Sequence, residues 1–296
     1  MNRRTAAGLA LLAILLLASL LAPLLAPFER GKTEGLRKEV VDGEERYFFA
    51  PERPGPRHPL GTDRYGYDML TEMLHGLKWT LAAVFGIAVL RAGFAFLLGL
   101  AAVGRRGGLR RRRSFSPLAA FPSFVVAYLL LFRVTINSPL PAFSLFLYQA
   151  TVVALLDLPG VARSFAAKAR SVAASSFVEA ARSAGADSRW IAARHVAPFL
   201  ADDFFEAIPV QAVATAAFIA KLGLFSLFIG GTTLSLDPVL LQPSRMELVG
   251  LMGYHNGDIL GAPWLFLGPF AGWLLVFTAA ELLSSGLRRR RGGPIR

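Results

Sequence analysis

The chain has 296 residues, of which 54% are hydrophobic and only 18% charged, with a formal net charge of +12. That is too apolar for an ordinary soluble domain, and the lack of cysteine excludes disulfides and thiolate metal sites. The basic residues cluster beside apolar runs, which fits membrane orientation and anionic lipid headgroups rather than nucleic acid.

A membrane span needs about 20 mostly apolar residues, because the hydrocarbon layer is about 30 Å thick. Residues 6–27 satisfy this, with Arg3 and Arg4 ahead of them. The alternative, a cleaved signal peptide, requires a shorter apolar run. Residues 28–76 are polar and of mixed charge and are expected outside the membrane. Within them, 38–49 read as a β-hairpin about Asp42-Gly43. Four prolines between 51 and 59 then predict extended chain, followed by His58-Pro59-Leu60-Gly61-Thr62-Asp63 and, a few residues on, Gly66 and Asp68. His58, Asp63 and Asp68 are metal-ligating types, yet Gly- and Asp-rich turns are common without metal, and none is expected.

Further spans are expected at about 77–104, 115–134, 142–162, 204–230 and 263–285. Pro122 is expected to kink the third, and Pro159-Gly160 falls near the inner end of the fourth. Two charges stand inside spans. Arg91 lies near the middle of the second and Lys221 within the fifth, at a cost of about 2.5–3.5 kcal/mol each at a helix centre. The acids Asp157, Glu206 and Glu281 fall near inner span ends, so no mid-span acid is expected to pair with either cation. Each then snorkels, meets a partner subunit's acid, or lines a solute path, Lys221 being the better path candidate and Arg91 the more structural one. The basic clusters at 3–4, 105–113, 163–194 and 288–291 all fall on one side of a six-span arrangement, which predicts cytoplasmic termini. No catalytic motif is present: there is no Gly-x-Ser-x-Gly elbow, no nucleotide-binding P-loop, and no ligand spacing among His58, His75, His195 and His255.

The loop at 163–200 is the most structured polar stretch. Ser176 and Glu179 have the spacing of a capping box. Ala180, Ala181 and Ala184 favour helix, Gly185 suits a left-handed turn, Asp187 or Ser188 can cap a second helix, and Pro198 limits its continuation. A helical hairpin is expected, either stabilising its own chain or docking another protein.

Glu179-Ala180-Ala181, Gly185 and Arg194-His195-Val196-Ala197-Pro198 resemble the EAA loop of bacterial ABC importer permeases, and within them the C-type subunit of dipeptide and oligopeptide systems. The stretch from His58 to Asp63, with Gly66 and Asp68, resembles the signature found before the second span in that family, with Tyr67 in place of its usual Arg. Ala197 and Phe199 depart from its usual Leu and Asn, and 105–150 match least well. The resemblance implies an all-α polytopic membrane protein. It would have six transmembrane helices, a cytoplasmic coupling loop in a MetI-like core from 77 to 296, and a small extracytoplasmic segment at 28–76. It implies a non-catalytic subunit of the inner membrane forming half of a path for peptides or similar solutes. Ser176, Glu179, Ala180, Ala181, Gly185, Arg194, His195 and Pro198 would then dock an ATPase. The implied partners are a B-type permease, two ATPase subunits that bind ATP and magnesium, an extracytoplasmic solute-binding protein and lipid. This chain would hold no cofactor. A nickel- or opine-type permease is the nearest alternative; a channel or secondary carrier is the more distant one.

Overall fold

The computed structural model describes residues 2–41, 44–103, 122–236 and 239–291. Eleven α-helices and four strands occur among them. The bundle is built around α3 (Met69–Ala101), whose 33 residues span about 50 Å at 1.5 Å per residue. Asp68 starts it by accepting from the Thr71 backbone N–H. No polar stripe runs along it; side chains are buried at intervals from Met69 to Gly99, as expected of a helix surrounded by others. Against α3 pack α5 (Ala142–Leu156), α6 (Leu158–Ala173), α9 (Ala197–Leu224) and α11 (Trp264–Arg291). α1 (Arg3–Leu20) lies along α11, and the short α2 (Ala22–Leu25) follows a break at Leu21, with a proline in its first turn.

By length and composition, four helices are able to cross a membrane: α1, α3, the continuous helical run Ser188–Leu224, and α11. α5 and α6 make a fifth if taken as one span bent by 59°. The helix α4 (Ser123–Thr135) has 13 residues, about 20 Å, which is short of the hydrocarbon thickness. The expected start of that span, and residues 105–121 of the weakly matching 105–150 stretch, lie outside the described residues. Pro122 does not kink α4; it is the residue immediately before it, where a missing N–H costs nothing. The fourth predicted span is also changed. Its helix ends at Asp157, and Pro159 sits in the first turn of α6, which leaves in a new direction.

Two antiparallel hairpins lie near the N-terminal end of α3. β1 (Leu36–Val41) pairs with β2 (Glu44–Phe49), Val41 opposite Glu44. β3 (Thr232–Leu236) pairs with β4 (Val239–Pro243). The short helix α10 (Leu248–Tyr254) then folds back onto α3. Gly76 permits this approach, since a Cβ there would collide with the Met246 carbonyl, and Thr80 Oγ1 accepts from the Leu248 N–H at 3.0 Å.

The main apolar core joins α3, α5, α9 and α11 through residues such as Val84, Ile87, Val153, Ala216 and Val276. A second cluster, including Ala95, Phe165, Val178, Ile191 and Leu200, seals the C-terminal end of α3 against the 158–200 segment. A third, of Met69, Leu251, Ala262 and Leu265, closes the opposite end.

Candidate functional site: the helical hairpin and the buried arginine

The segment after α6 forms two short helices, α7 (Ser176–Ser183) and α8 (Ser188–Ile191). The turn between them is completed by backbone alone. Gly185 has φ +89°, its N–H donates to the Arg182 carbonyl at 2.9 Å, and the Ala186 N–H reaches back to Ala181 at 3.0 Å. These are the two bonds of a Schellman stop, and the left-handed residue between them is best glycine. Asp187 Oδ1 caps α8 by accepting from the Trp190 N–H at 2.8 Å.

The capping box does not form. Ser175, not Ser176, occupies the cap position of α7, its hydroxyl donates back to the Val172 carbonyl of α6 at 2.6 Å, and Glu179 stays exposed one turn in. The tight α6–α7 junction draws the serine cap one residue earlier than the sequence spacing implied. Pro198 does not end the second helix either. Residues Ala192–Val196 widen into a π-helical segment, with the Ala197 N–H donating to the Ala192 carbonyl. This five-residue loop absorbs the proline, which then sits in the first turn of α9.

Of the hairpin's faces, one is anchored by buried Val178, Ile191 and Val196. The other is bare. Phe177, Trp190 and Phe199 are 44%, 49% and 52% exposed. Phe177 stacks on Phe199 with centroids 5.8 Å apart, and His195 lies edge-on to Trp190 at 5.0 Å and to Phe177 at 5.9 Å. Ser176, Glu179, Ala180, Gly185, Arg194 and Pro198 are exposed around this patch, and Ala181 is half-buried beneath it. His195 Nε2 is buried without a hydrogen-bond partner. The sequence-selected residues of this loop thus share one small surface, apolar in the middle and charged at its edges.

Arg91 is fully buried. No mid-span acid was expected to pair with it; the acid its guanidinium approaches, at 3.6 Å, is Asp157 at the end of α5. Its main partners are carbonyls. It donates to Val153 O at 2.9 Å, Ala154 O at 3.3 Å and Gln211 Oε1 at 3.1 Å. These two carbonyls end α5, where the break at Asp157 leaves the last turn short of helical donors. Arg91 therefore caps a broken helix from the middle of α3 and ties it to α9. Its fork of five donors suits several acceptors at once, which a lysine ammonium does not match in geometry.

Lys221 lies in the last turn of α9, exposed, rather than deep within a span. A cation there complements the negative end of the helix dipole.

At the other end of α3, the residues from His58 to Asp68 form a knot of side-chain and backbone bonds. Asp68 Oδ2 pairs with His58 Nδ1 at 2.9 Å while Oδ1 takes both the Thr71 N–H and hydroxyl. Asp63 Oδ1 accepts from the Tyr65 and Tyr67 N–H groups, and Gly61 and Gly66 take positive φ to close the turns. Thr62 Oγ1 accepts from the Glu52 N–H, and Leu60 joins the apolar cluster under Trp264. His58 stacks on Phe28 at 4.8 Å. Pro59 is exposed. Among the described residues no three His, Asp or Glu side chains are arranged to hold a metal ion. Nearby, Arg64 Nη2 donates to both carboxylate oxygens of Asp258, at 2.6 and 2.8 Å, and His255 Nδ1 pairs with the same carboxylate at 2.9 Å. Burial alone would raise the Asp258 carboxyl, but the hydrogen bonds from Arg64 and His255 hold it below its ordinary value. Burial pushes Asp63 up against its backbone hydrogen bonds, and holds the His255 imidazole down.

Gln149, Gln211, Asp157 and Asp258 escaped the sequence reading as site residues. Gln149 is the clearest loss: fully buried, it bonds Thr135, Phe228 and Gly230 and so joins three segments. A lone polar residue in an apolar run was the available signal.

These features define a class: a mostly helical, multi-pass membrane protein with a protruding helical hairpin at one end. The comparisons are more particular. No family model matches the chain. It is 28% identical over 290 residues to the oligopeptide transport system permease protein OppC of Mycobacterium tuberculosis (strain H37Rv), covering 97% of this chain and 89% of that protein. It is 28% identical over 285 residues to a putative peptide transport system permease protein of Brucella suis biovar 1, covering 95% and 84%. It is 27% identical over 291 residues to the dipeptide transport system permease protein DppC of Haemophilus influenzae, covering 97% and 89%. Over nearly its whole length the chain is a relative of C-type permeases of peptide transport systems.

Proposed function

We propose that this chain is a transmembrane permease subunit of an ABC importer, supplying half of the path for peptides or similarly sized solutes. The observation that carries this reading is similarity to peptide transport permeases across 97% of the chain. In this reading α4 and the α5–α6 pair complete six spans, the termini are cytoplasmic, and 28–76 lie outside. A B-type permease supplies the other half of the path, two ATPase subunits bind ATP and magnesium, and an extracytoplasmic binding protein delivers solute. This chain carries out no catalysis.

Coupling runs through α7 and α8. The hairpin has a short rigid turn, an anchored face and a bare aromatic face, and exposed aromatic patches rimmed by polar groups are typical of protein docking sites. Force applied to the hairpin passes to α6, which starts after Asp157 beside Arg91, and to α9, which Arg91 reaches through Gln211. The test is a Glu179→Ala, Trp190→Ala double variant co-produced with its ATPases. Membrane insertion should persist while uptake and solute-stimulated ATP hydrolysis fall at least tenfold. Undiminished uptake would remove the hairpin from the coupling path.

A further inference from the structure

At the N-terminal end of α3 lies a cavity of about 390 Å³, within the usual range for small-molecule sites. Asp63, Glu72, Tyr65, Tyr67, Tyr254 and His255 contribute to its lining. Glu72 is the decisive member. It is only 8% exposed, its side-chain carboxylate accepts no hydrogen bond, and it faces the cavity. A carboxylate in so enclosed a position, open only to the cavity, keeps its acceptor capacity free for whatever enters it. Asp63 uses only Oδ1, toward the Tyr65 and Tyr67 N–H groups, leaving Oδ2 without a hydrogen bond. Arg64 and His255, the cations near Asp63, both direct their hydrogen bonds to Asp258. The cation within electrostatic range of Glu72 is the exposed Arg30.

Two under-partnered carboxylates beside three phenol rings are complementary to an organic cation. The carboxylates supply charge and hydrogen-bond acceptors, and the ring faces attract a desolvated ammonium. A divalent metal is the poorer match, because the described residues contain no cluster of three metal-ligating side chains and such ions require several oxygen ligands at once.

We propose that this cavity binds the ammonium group of a small organic solute. The inference stands apart from the coupling reading, because it concerns binding at the end of α3 away from the hairpin. The experiment uses the full chain in lipid nanodiscs, with Ala-Ala amide as a cationic probe and N-acetyl-Ala-Ala amide as its neutral counterpart, read by calorimetry. The amide should bind saturably and the acetylated form at least tenfold more weakly. Glu72→Gln should lower affinity for the amide at least tenfold with an unchanged melting temperature. Tyr65→Leu, at a 39% exposed position where folding is not at risk, should lower it severalfold. Glu179→Ala, in the hairpin, should bind as the unaltered chain does, so a failure of coupling is told apart from a failure of this site. Equal binding of the two probes, no saturable binding, or full affinity in both Glu72→Gln and Tyr65→Leu would overturn the proposal.

Discussion

The two ends of α3 handle polarity in opposite ways. At its N-terminal end, charged groups are drawn inward and matched: His58 with Asp68, Arg64 and His255 with Asp258, Arg37 with Glu52. At its C-terminal end, α7 and α8 are held by three apolar anchors and backbone bonds, and their rings and charges face outward. The first end turns its charges inward and leaves Glu72 and one oxygen of Asp63 open to its own cavity; the second is finished only on the side facing its own chain. A bare aromatic surface rimmed by charge is the more informative one about protein partners. Between them sits Arg91, which ties the end of α5 to α9.

The largest predicted effect follows from that position. Arg91→Met leaves the Val153 and Ala154 carbonyls without their donor in a buried site, and should cost about 3–5 kcal/mol. Arg91→Lys should recover less than half of this, because one ammonium cannot reproduce the fork. Thermal unfolding in detergent measures both. A loss below about 1 kcal/mol in the Met variant would mean that the α5–α6 bend is held by apolar packing alone.

Arg91 also marks where sequence stops being readable. Its cost in a span was evident from position, and so was the helix-turning potential of Pro159-Gly160. That one satisfies the other was not, because the two are separated by more than sixty residues and meet only through helix packing. Local patterns fared better. Asp187 and Gly185 announce helix ends through side-chain reach and φ preference, which are properties of a few neighbouring residues. Ser176 misled because two serines compete for one cap and the α6–α7 junction chose Ser175. The β3–β4 hairpin was hidden because its strands are short and contain few charged residues to mark an alternation. Glu72 lies in a stretch expected to be outside the membrane, and only its burial in the first turn of α3 distinguishes it.

The next effect belongs to the end whose charges turn inward. Glu247 caps α10, accepting from the Val249 N–H at 2.8 Å, and burial pushes its carboxyl up to about 7. The ordinary value is 4.5. Between these values the folded chain binds a proton that the unfolded chain has lost, so stability falls as pH rises through that window. The stabilisation is fully present below about pH 4.5 and gone above about pH 7, amounting to no more than about 3 kcal/mol. Glu247→Gln should flatten this part of the pH profile. Hydrogen exchange at Leu248–Tyr254 followed from pH 5 to 8 is the measurement; a slope equal in both proteins would place the titration elsewhere.

A smaller effect separates structure from coupling at the bare end. Gly185→Ala meets no atom within 4 Å, so its cost is backbone strain at φ +89° alone, about 1 kcal/mol. Helix content and insertion should be unchanged while the α7–α8 angle loosens, and ATPase stimulation should fall more than stability does. Proportional losses would indicate that the hairpin matters only as part of the fold.

The smallest effect is expected at Lys221, and it asks whether an exposed charge at a helix end has work beyond the fold. The side chain is exposed in the last turn of α9, where its favourable interaction with the helix dipole is worth about 0.3–1 kcal/mol. Lys221→Met preserves length and apolar stem, so stability should change by no more than that. If Lys221 faces the solute path, as its place in α9 allows, the variant should assemble with its ATPases and hydrolyse ATP, yet import zwitterionic peptides more slowly than N-terminally matched peptide amides, which lack a carboxylate to attract. Competition uptake with such a pair reads this ratio directly. An unchanged ratio assigns Lys221 to the helix end alone, and a shift in favour of the amide assigns it to the path.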